Sequence, residues 1–141
     1  MDKELITSII SFTKEKGIDC YRVPEEEANF LVKDVALCFR FDLSTRWLWE
    51  NDFVREEHIY HNANGDWELL FSQLLQNFEE MIYLVLTDDE FYPWAVFDCK
   101  RDLVMNILNE QRYFEFFIFD KSMKAVLFDT HEKELLLAVR K

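Results

Sequence analysis

Apolar residues recur at helical spacing in the first part of the chain. Over residues 2–16 they fall on one face, which predicts an amphipathic helix. Gly17 is well placed to end this helix, because glycine readily adopts the left-handed conformation found at helix C-termini. Residues 18–23 are long enough for a short edge strand. Pro24 and the three glutamates after it then predict a second helix, since carboxylates stabilise the positive end of a helix dipole.

The strongest helical pattern lies in the middle of the chain. From Trp67 to Phe78, apolar residues follow the i, i+3, i+4, i+7, i+8, i+11 spacing of a helix that packs on a core, and Asp66 is placed as its N-cap. The preceding residues, 39–65, contain many polar side chains and end in an Asn-Ala-Asn-Gly turn. Their pattern does not assign them to a helix or a strand.

Beyond residue 80 the pattern changes from helices to strands. The apolar runs 81–86 and 94–97 predict a hairpin with a long connection, and residues 100–110 predict a helix. Three more strands are expected at 113–119, 125–128 and 135–139, with short antiparallel turns between them. We therefore predict one α+β domain over residues 1–141, an antiparallel β-meander of about five strands with three to four helices packed on it.

Composition favours a packed domain and excludes several kinds of site. Half of the 141 residues are hydrophobic and 16% are aromatic, which excludes a disordered chain. Only two glycines occur, so the chain has no Gly-rich phosphate loop, dinucleotide fingerprint or nucleophile elbow. We predict no cofactor and no catalytic residue.

The cysteines and the N-terminus indicate a cellular compartment. Cys20, Cys38 and Cys99 are odd in number and widely spaced, which favours reduced thiols over disulfides or a zinc site. The first residues lack the pattern of a signal peptide, and the apolar runs are far shorter than the ~20 residues of a membrane span. We expect a cytoplasmic protein without a membrane partner.

Acidic residues are concentrated in one part of the chain. The formal net charge is −12, and residues 41–99 alone contain 13 acidic and 2 basic side chains. Such a surface repels phosphate backbones, so we expect no nucleic-acid partner. It attracts basic proteins and accelerates their encounter with it. A solvated face that only maintains solubility is the alternative.

Aromatic residues in the acidic segment provide candidate anchors for a basic protein partner, because large rings contribute much of the affinity of protein interfaces. Trp67 is expected in the core, and the sequence leaves the positions of Trp47 and Trp49 open. The predicted partner contacts lie in the loops before the central helix and within the first hairpin; they are Glu56, Glu57, Asp88, Asp89, Glu90 and Tyr92.

Two other interpretations remain open. A small enzyme or ligand-binding domain would use Glu115, which lies among apolar strand residues, and His131 in a pocket under the sheet. A structural or oligomerising subunit is the third interpretation. His58 and His61 are three residues apart beside Glu57, but no metal-binding motif is formed, so we predict no metal site.

Five short stretches between residues 46 and 131 resemble a family of small, uncharacterised bacterial α+β proteins; they are Arg46–Glu50, Ile82–Asp89, Pro93–Trp94, Tyr113–Ile118 and Thr130–His131. That family often has a tryptophan in the penultimate strand, followed by two adjacent histidines. Here residues 124–128 contain no tryptophan and Glu132 follows His131. The resemblance implies no activity. In size and charge the chain is also similar to bacterial immunity proteins, which implies a toxin domain as the basic partner.

Overall fold

The computed structural model describes residues 2–45, 48, 57–62, 67–88, 91–129 and 134–140. Within that part, the helices are α1 (Lys3–Lys16), α2 (Glu25–Phe39), α3 (Trp67–Leu75) and α4 (Val104–Glu110), the last preceded by a 3₁₀ turn at Arg101–Leu103. The strands are β1 (Cys20–Arg22), β2 (Glu57–Asn62), β3 (Met81–Leu86), β4 (Ala95–Lys100), β5 (Phe116–Phe119), β6 (Ala125–Asp129) and β7 (Glu134–Val139).

Local signals set the ends of the first helix. The Asp2 side chain accepts a hydrogen bond from the Leu5 backbone N–H at 3.0 Å, which satisfies one of the unpaired donors at the helix start. Gly17 ends α1 with a φ of 64°, which lies in the left-handed region. Glycine adopts this conformation readily because it has no side chain to clash with the backbone. The predicted helix over residues 2–16 and its glycine terminus are therefore confirmed.

The seven described strands form one antiparallel sheet in the order β1-β4-β3-β5-β6-β7-β2. Consecutive strands pair in the β3–β4 hairpin and in the run β5–β6–β7. The helix α4 connects β4 to β5, which lies on the other side of β3. The predicted α+β class with a largely meander-like antiparallel sheet is confirmed.

The sheet is covered on both faces, so the protein has two apolar cores. Alternate residues of β3 belong to different cores, because successive side chains point to opposite faces of the sheet. Ile82 and Leu84 pack with α1, α3 and α4, whereas Tyr83 and Val85 pack with α2. All four residues of β5 are buried, as expected for a central strand covered on both sides.

Several boundaries differ from the predictions for local reasons. The central helix ends at Leu75 rather than Phe78, because residues 76–78 form tighter turns with backbone bonds three residues apart. Lys100 is paired with Met81 as the last residue of β4 and does not begin a helix. β2 occupies residues that the sequence pattern left unassigned, and the predicted N-cap Asp66 lies outside the described residues.

Two of the three cysteines face each other across neighbouring strands. Cys20 of β1 is opposite Cys99 of β4, and both are buried free thiols in the core beneath α1. A hydrogen bond with Cys20, together with burial, raises the pKa of Cys99 above its usual range. Cys38 is partly buried at the end of α2, with its sulfur 3.9 Å from that of Met123.

Within the described part of the chain, the helices are too short and too polar to cross a lipid bilayer.

The buried rings of the central strand predict a large effect of truncation there. Phe117 packs edge-on against Trp94 at 6.0 Å between ring centroids and lies 5.6 Å from Phe128. We expect Phe117→Ala to lower the free energy of unfolding by about 3–5 kcal/mol, measured in urea. The control Phe30→Ala removes a ring that is 62% exposed and should change stability by less than about 0.5 kcal/mol. Equal effects of the two variants would contradict the placement of Phe117 in the core.

The thiols should also differ in reactivity. Thiolate is the reacting form, so burial and the raised pKa of Cys99 should protect it and its neighbour Cys20 from an aromatic disulfide reagent at pH 8. We expect native protein to react at Cys38 alone and denatured protein to react at all three cysteines, measured by absorbance. Cys38→Ser is the control and should abolish the native reaction. Rapid labelling of all three thiols in native protein would contradict the burial of Cys20 and Cys99 between β1 and β4.

Candidate functional site

The loop between β3 and β4 is fixed to the sheet by its backbone. The N–H groups of Thr87 and Asp88 both donate to the carbonyl oxygen of Glu115, at 3.0 and 3.1 Å. Glu115 directly precedes β5, the strand that pairs with β3 on the side away from β4. The first part of the loop therefore continues the sheet's hydrogen bonding beyond the end of β3.

An ion-pair network ties the same loop to the N-terminus. The Arg112 guanidinium pairs with Asp88 at 2.7 Å and also with Asp2, the residue that caps α1. The Asp88 side chain is only 19% exposed. The hydrogen bond with Asp88 raises the pKa of Arg112. The Leu5 backbone N–H, together with Arg112, lowers the pKa of Asp2 below its ordinary value of 3.8.

The second part of the loop is held by aromatic packing. Tyr92 is half-buried and lies edge-on against Trp94 at 5.7 Å between ring centroids, and Trp94 is fully buried in the core under α2. Burial raises the pKa of Tyr92. Between these anchors, the Phe91 side chain is 60% exposed. The described part of the loop thus presents the large apolar ring of Phe91 to solvent, next to the packed ring of Tyr92.

The predicted partner contacts are only partly within the described residues. Asp88 and Tyr92 lie at the two anchored ends of the β3–β4 loop. Glu57 is described by its backbone alone, in β2 opposite Val139. Glu56, Asp89, Glu90 and the candidate anchors Trp47 and Trp49 lie outside the described residues.

Of the two residues predicted for the alternative pocket, the structure describes one, Glu115. Glu115 is buried and does not line the cleft described next, although both of its sequence neighbours, Phe114 and Phe116, do. His131 lies outside the described residues.

A cleft of about 650 Å³ opens on the sheet face that carries α3 and α4. It lies between the start of α3, the outer end of α4 and the segment that leads into β5. Its lining residues include the rings of Trp67, Tyr113, Phe114 and Phe116, and the carboxylate-bearing residue Asp129. Trp67 was expected in the core; it packs against the core under α3 but is only partly buried.

His58 and His61 lie in β2, where the structure describes their backbone alone. His58 is opposite Ala138 and His61 is opposite Leu135 in the ladder between β2 and β7. In the described ranges, no three histidine, cysteine, aspartate or glutamate residues are grouped so as to hold a metal ion.

Two residues of this region were not predicted as site residues from the sequence: Phe91, which lies in the loop, and Arg112, which anchors it. Phe91 had a usable signal, because an apolar residue that follows three acidic residues in a loop has no pattern to place it in a core. Arg112 had none. Its partners are 24 and 110 residues away in sequence, and only the tertiary fold brings them together.

Comparison of the chain with protein-family models, curated proteins and solved structures finds no match. The resemblance to a bacterial α+β family therefore stays a hypothesis.

The network around Arg112 predicts a pH-dependent contribution to stability. Because the pKa of Asp2 is lowered in the folded state, its ionised form stabilises the fold above pH 4, and this contribution is lost as pH falls through the folded-state pKa. We expect Arg112→Met to lower the free energy of unfolding by about 1 kcal/mol at pH 7, a small effect because the guanidinium is half-exposed. The difference from the parent protein should shrink as Asp2 is protonated, measured by urea unfolding between pH 7 and 2.

Lys33→Met is the control, since it removes an exposed positive charge from α2 on the other face of the sheet. It should change stability little at either pH. An effect of Arg112→Met that is the same at pH 7 and pH 2 would exclude an electrostatic origin.

Proposed function

We propose that this protein is a cytoplasmic, non-enzymatic binding protein that occludes a basic protein partner, with the β3–β4 loop as its main contact. The exposed ring of Phe91, next to the anchored Tyr92 in the β3–β4 loop, is the observation that most supports the proposal. The excess of acidic residues over 41–99, which include this loop, supplies the charge that a basic partner recognises.

The anchoring of the loop favours tight binding. Ordering a flexible loop on binding costs free energy, and the described ends of this loop, Thr87–Asp88 and Tyr92–Trp94, are already held by Glu115, Arg112 and aromatic packing. A large ring that enters a pocket on the partner can act as a hot spot, whereas surrounding carboxylates mainly govern association rate and selectivity. In this mechanism Asp88 fixes the loop through Arg112, while Phe91, Asp89 and Glu90 meet the partner.

The chemistry of the partner follows from the charge. A basic domain whose own function needs a positively charged cleft, such as a nuclease or another toxin domain, would be blocked by an acidic loop with an apolar tip. Size and acidity make an immunity or inhibitor protein of a bacterial toxin the specific form of this proposal.

Substitution of the loop tip tests the proposal. The experiment uses the parent protein, the variant Phe91→Ser and the control Phe30→Ser. Each is immobilised and used to capture proteins from an extract of the source cell. The captured basic protein is then purified, and its association and dissociation rates are measured with each variant. Phe30 is a matched control because its ring is 62% exposed on α2, compared with 60% for Phe91. We expect Phe91→Ser to weaken binding more than tenfold, mainly through faster dissociation, and Phe30→Ser to leave it unchanged.

Charge reversal tests the electrostatic part separately. Asp89→Lys with Glu90→Lys should slow association and reduce its dependence on salt, without breaking the Asp88–Arg112 pair. Absence of a captured basic protein, or unchanged binding by both loop variants, would contradict the proposed role.

A further inference from the structure

The cleft beside α3 and α4 is separate from the face that carries α2. Its volume of about 650 Å³ is within the range of small-molecule sites, roughly 300–1,000 Å³. Its walls come from the first turn of α3, the end of α4, the connecting segment 111–114, the start of β5 and the end of β6. Most of its lining side chains are apolar or aromatic, as is usual for sites that bind organic ligands.

The aromatic wall of the cleft is fixed by stacking. Trp67 lies almost parallel to Phe71, with an interplanar angle of 9° and 4.9 Å between ring centroids. Phe71 is fully buried and meets Phe116 edge-on at 5.8 Å. One face of the indole is therefore covered by Phe71, and Trp67 is also among the residues that line the cleft. A ring or a cation placed there would contact a surface that needs no rearrangement.

The cleft also contains a buried carboxylate. Asp129, the last residue of β6, is only 3% exposed and lines the cleft. A carboxylate has about four acceptor positions, so it can receive a hydrogen bond from a ligand in addition to bonds within the fold. Burial strengthens its interaction with a positive charge, because the surrounding medium has a low dielectric constant.

Among the described residues, the other charged side chains that line the cleft leave it negative. Glu68 at the start of α3 adds a second carboxylate, on an exposed residue. Arg112 lines the cleft as well, but its guanidinium forms ion pairs with Asp2 and Asp88. The local charge therefore favours a cation over an anion of the same shape.

We propose that this cleft binds a small organic cation that combines a flat ring with a protonated amine. The ring packs against Trp67 and Phe116, and the ammonium group donates to Asp129. The cleft is distinct from the exposed ring of the partner-binding loop, since Phe91 is not among its lining residues, although Arg112 lines the cleft and also pairs with Asp88 of the loop.

Three related probes test the ligand class with the full chain. Tryptamine carries the ring and the amine, indole the ring alone, and indole-3-acetate the ring with a negative charge. We expect tryptamine to bind about tenfold more tightly than indole, and indole-3-acetate to bind more weakly than either, measured by calorimetry. Backbone amide shifts in NMR spectra should change at Met105, Leu108 and Phe114.

Two variants separate the charge from the cavity. Asp129→Asn should remove the preference for tryptamine over indole, and Met105→Trp should fill the cleft and weaken both probes. Phe30→Trp is the control, because it places an additional indole at an exposed position of α2. Met105→Trp keeps the test decisive even if Asp129→Asn does not fold.

Failure of this proposal differs from failure of the proposed function. Absence of saturable tryptamine binding, equal affinity for indole-3-acetate, or amide shifts confined to α2 would overturn the cleft assignment. None of these results would alter the expected loss of protein partner binding in Phe91→Ser.

Discussion

The burial of the sheet on both faces is the constraint on which the rest of the structure depends. A strand such as β5, with all four residues buried, can exist only if apolar elements cover each side of it. Three helices cover one side and α2 covers the other. This explains why rings alternate in direction along β5: Phe116 contacts Phe71 of α3, and Phe117 contacts Trp94 in the core under α2.

Burial of the sheet on both faces also brings the two proposed sites, the β3–β4 loop and the cleft, to one connecting segment. Residues 111–115 connect α4 on one face to the central strand of the sheet. Arg112 in this segment anchors the β3–β4 loop and lines the cleft, Glu115 accepts two backbone hydrogen bonds from the loop, and Phe114 lines the cleft. The loop and the cleft are thus distinct sites that share one structural support.

Sequence patterns predicted the elements whose determinants are local. The helix that ends before Gly17 and the hairpin strand over residues 81–86 depend on spacing and capping within a few residues. The structure contains both, as α1 and β3. β2 was missed because its sequence, Glu-His-Ile-Tyr-His-Asn, has only two apolar residues, and pairing with β7 defines it. The cleft was not predictable either, since Trp67 and Asp129 are 62 residues apart and their proximity depends on the packing of α3 near the end of β6.

Buried carboxylates in this fold differ in what they do, and the difference separates structural residues from candidate site residues. Asp120 accepts hydrogen bonds from the backbone N–H of Glu79 at 2.8 Å and of Ser122 at 3.0 Å, so it ties the turn after β5 to the connection between α3 and β3. Its burial is explained within the fold. Glu115 is buried away from the cleft, whereas Asp129 has similar burial and borders an open volume lined by rings. Asp129 also has contacts within the fold, and its location at a cleft rather than in a closed core is what favours a ligand-binding role for it.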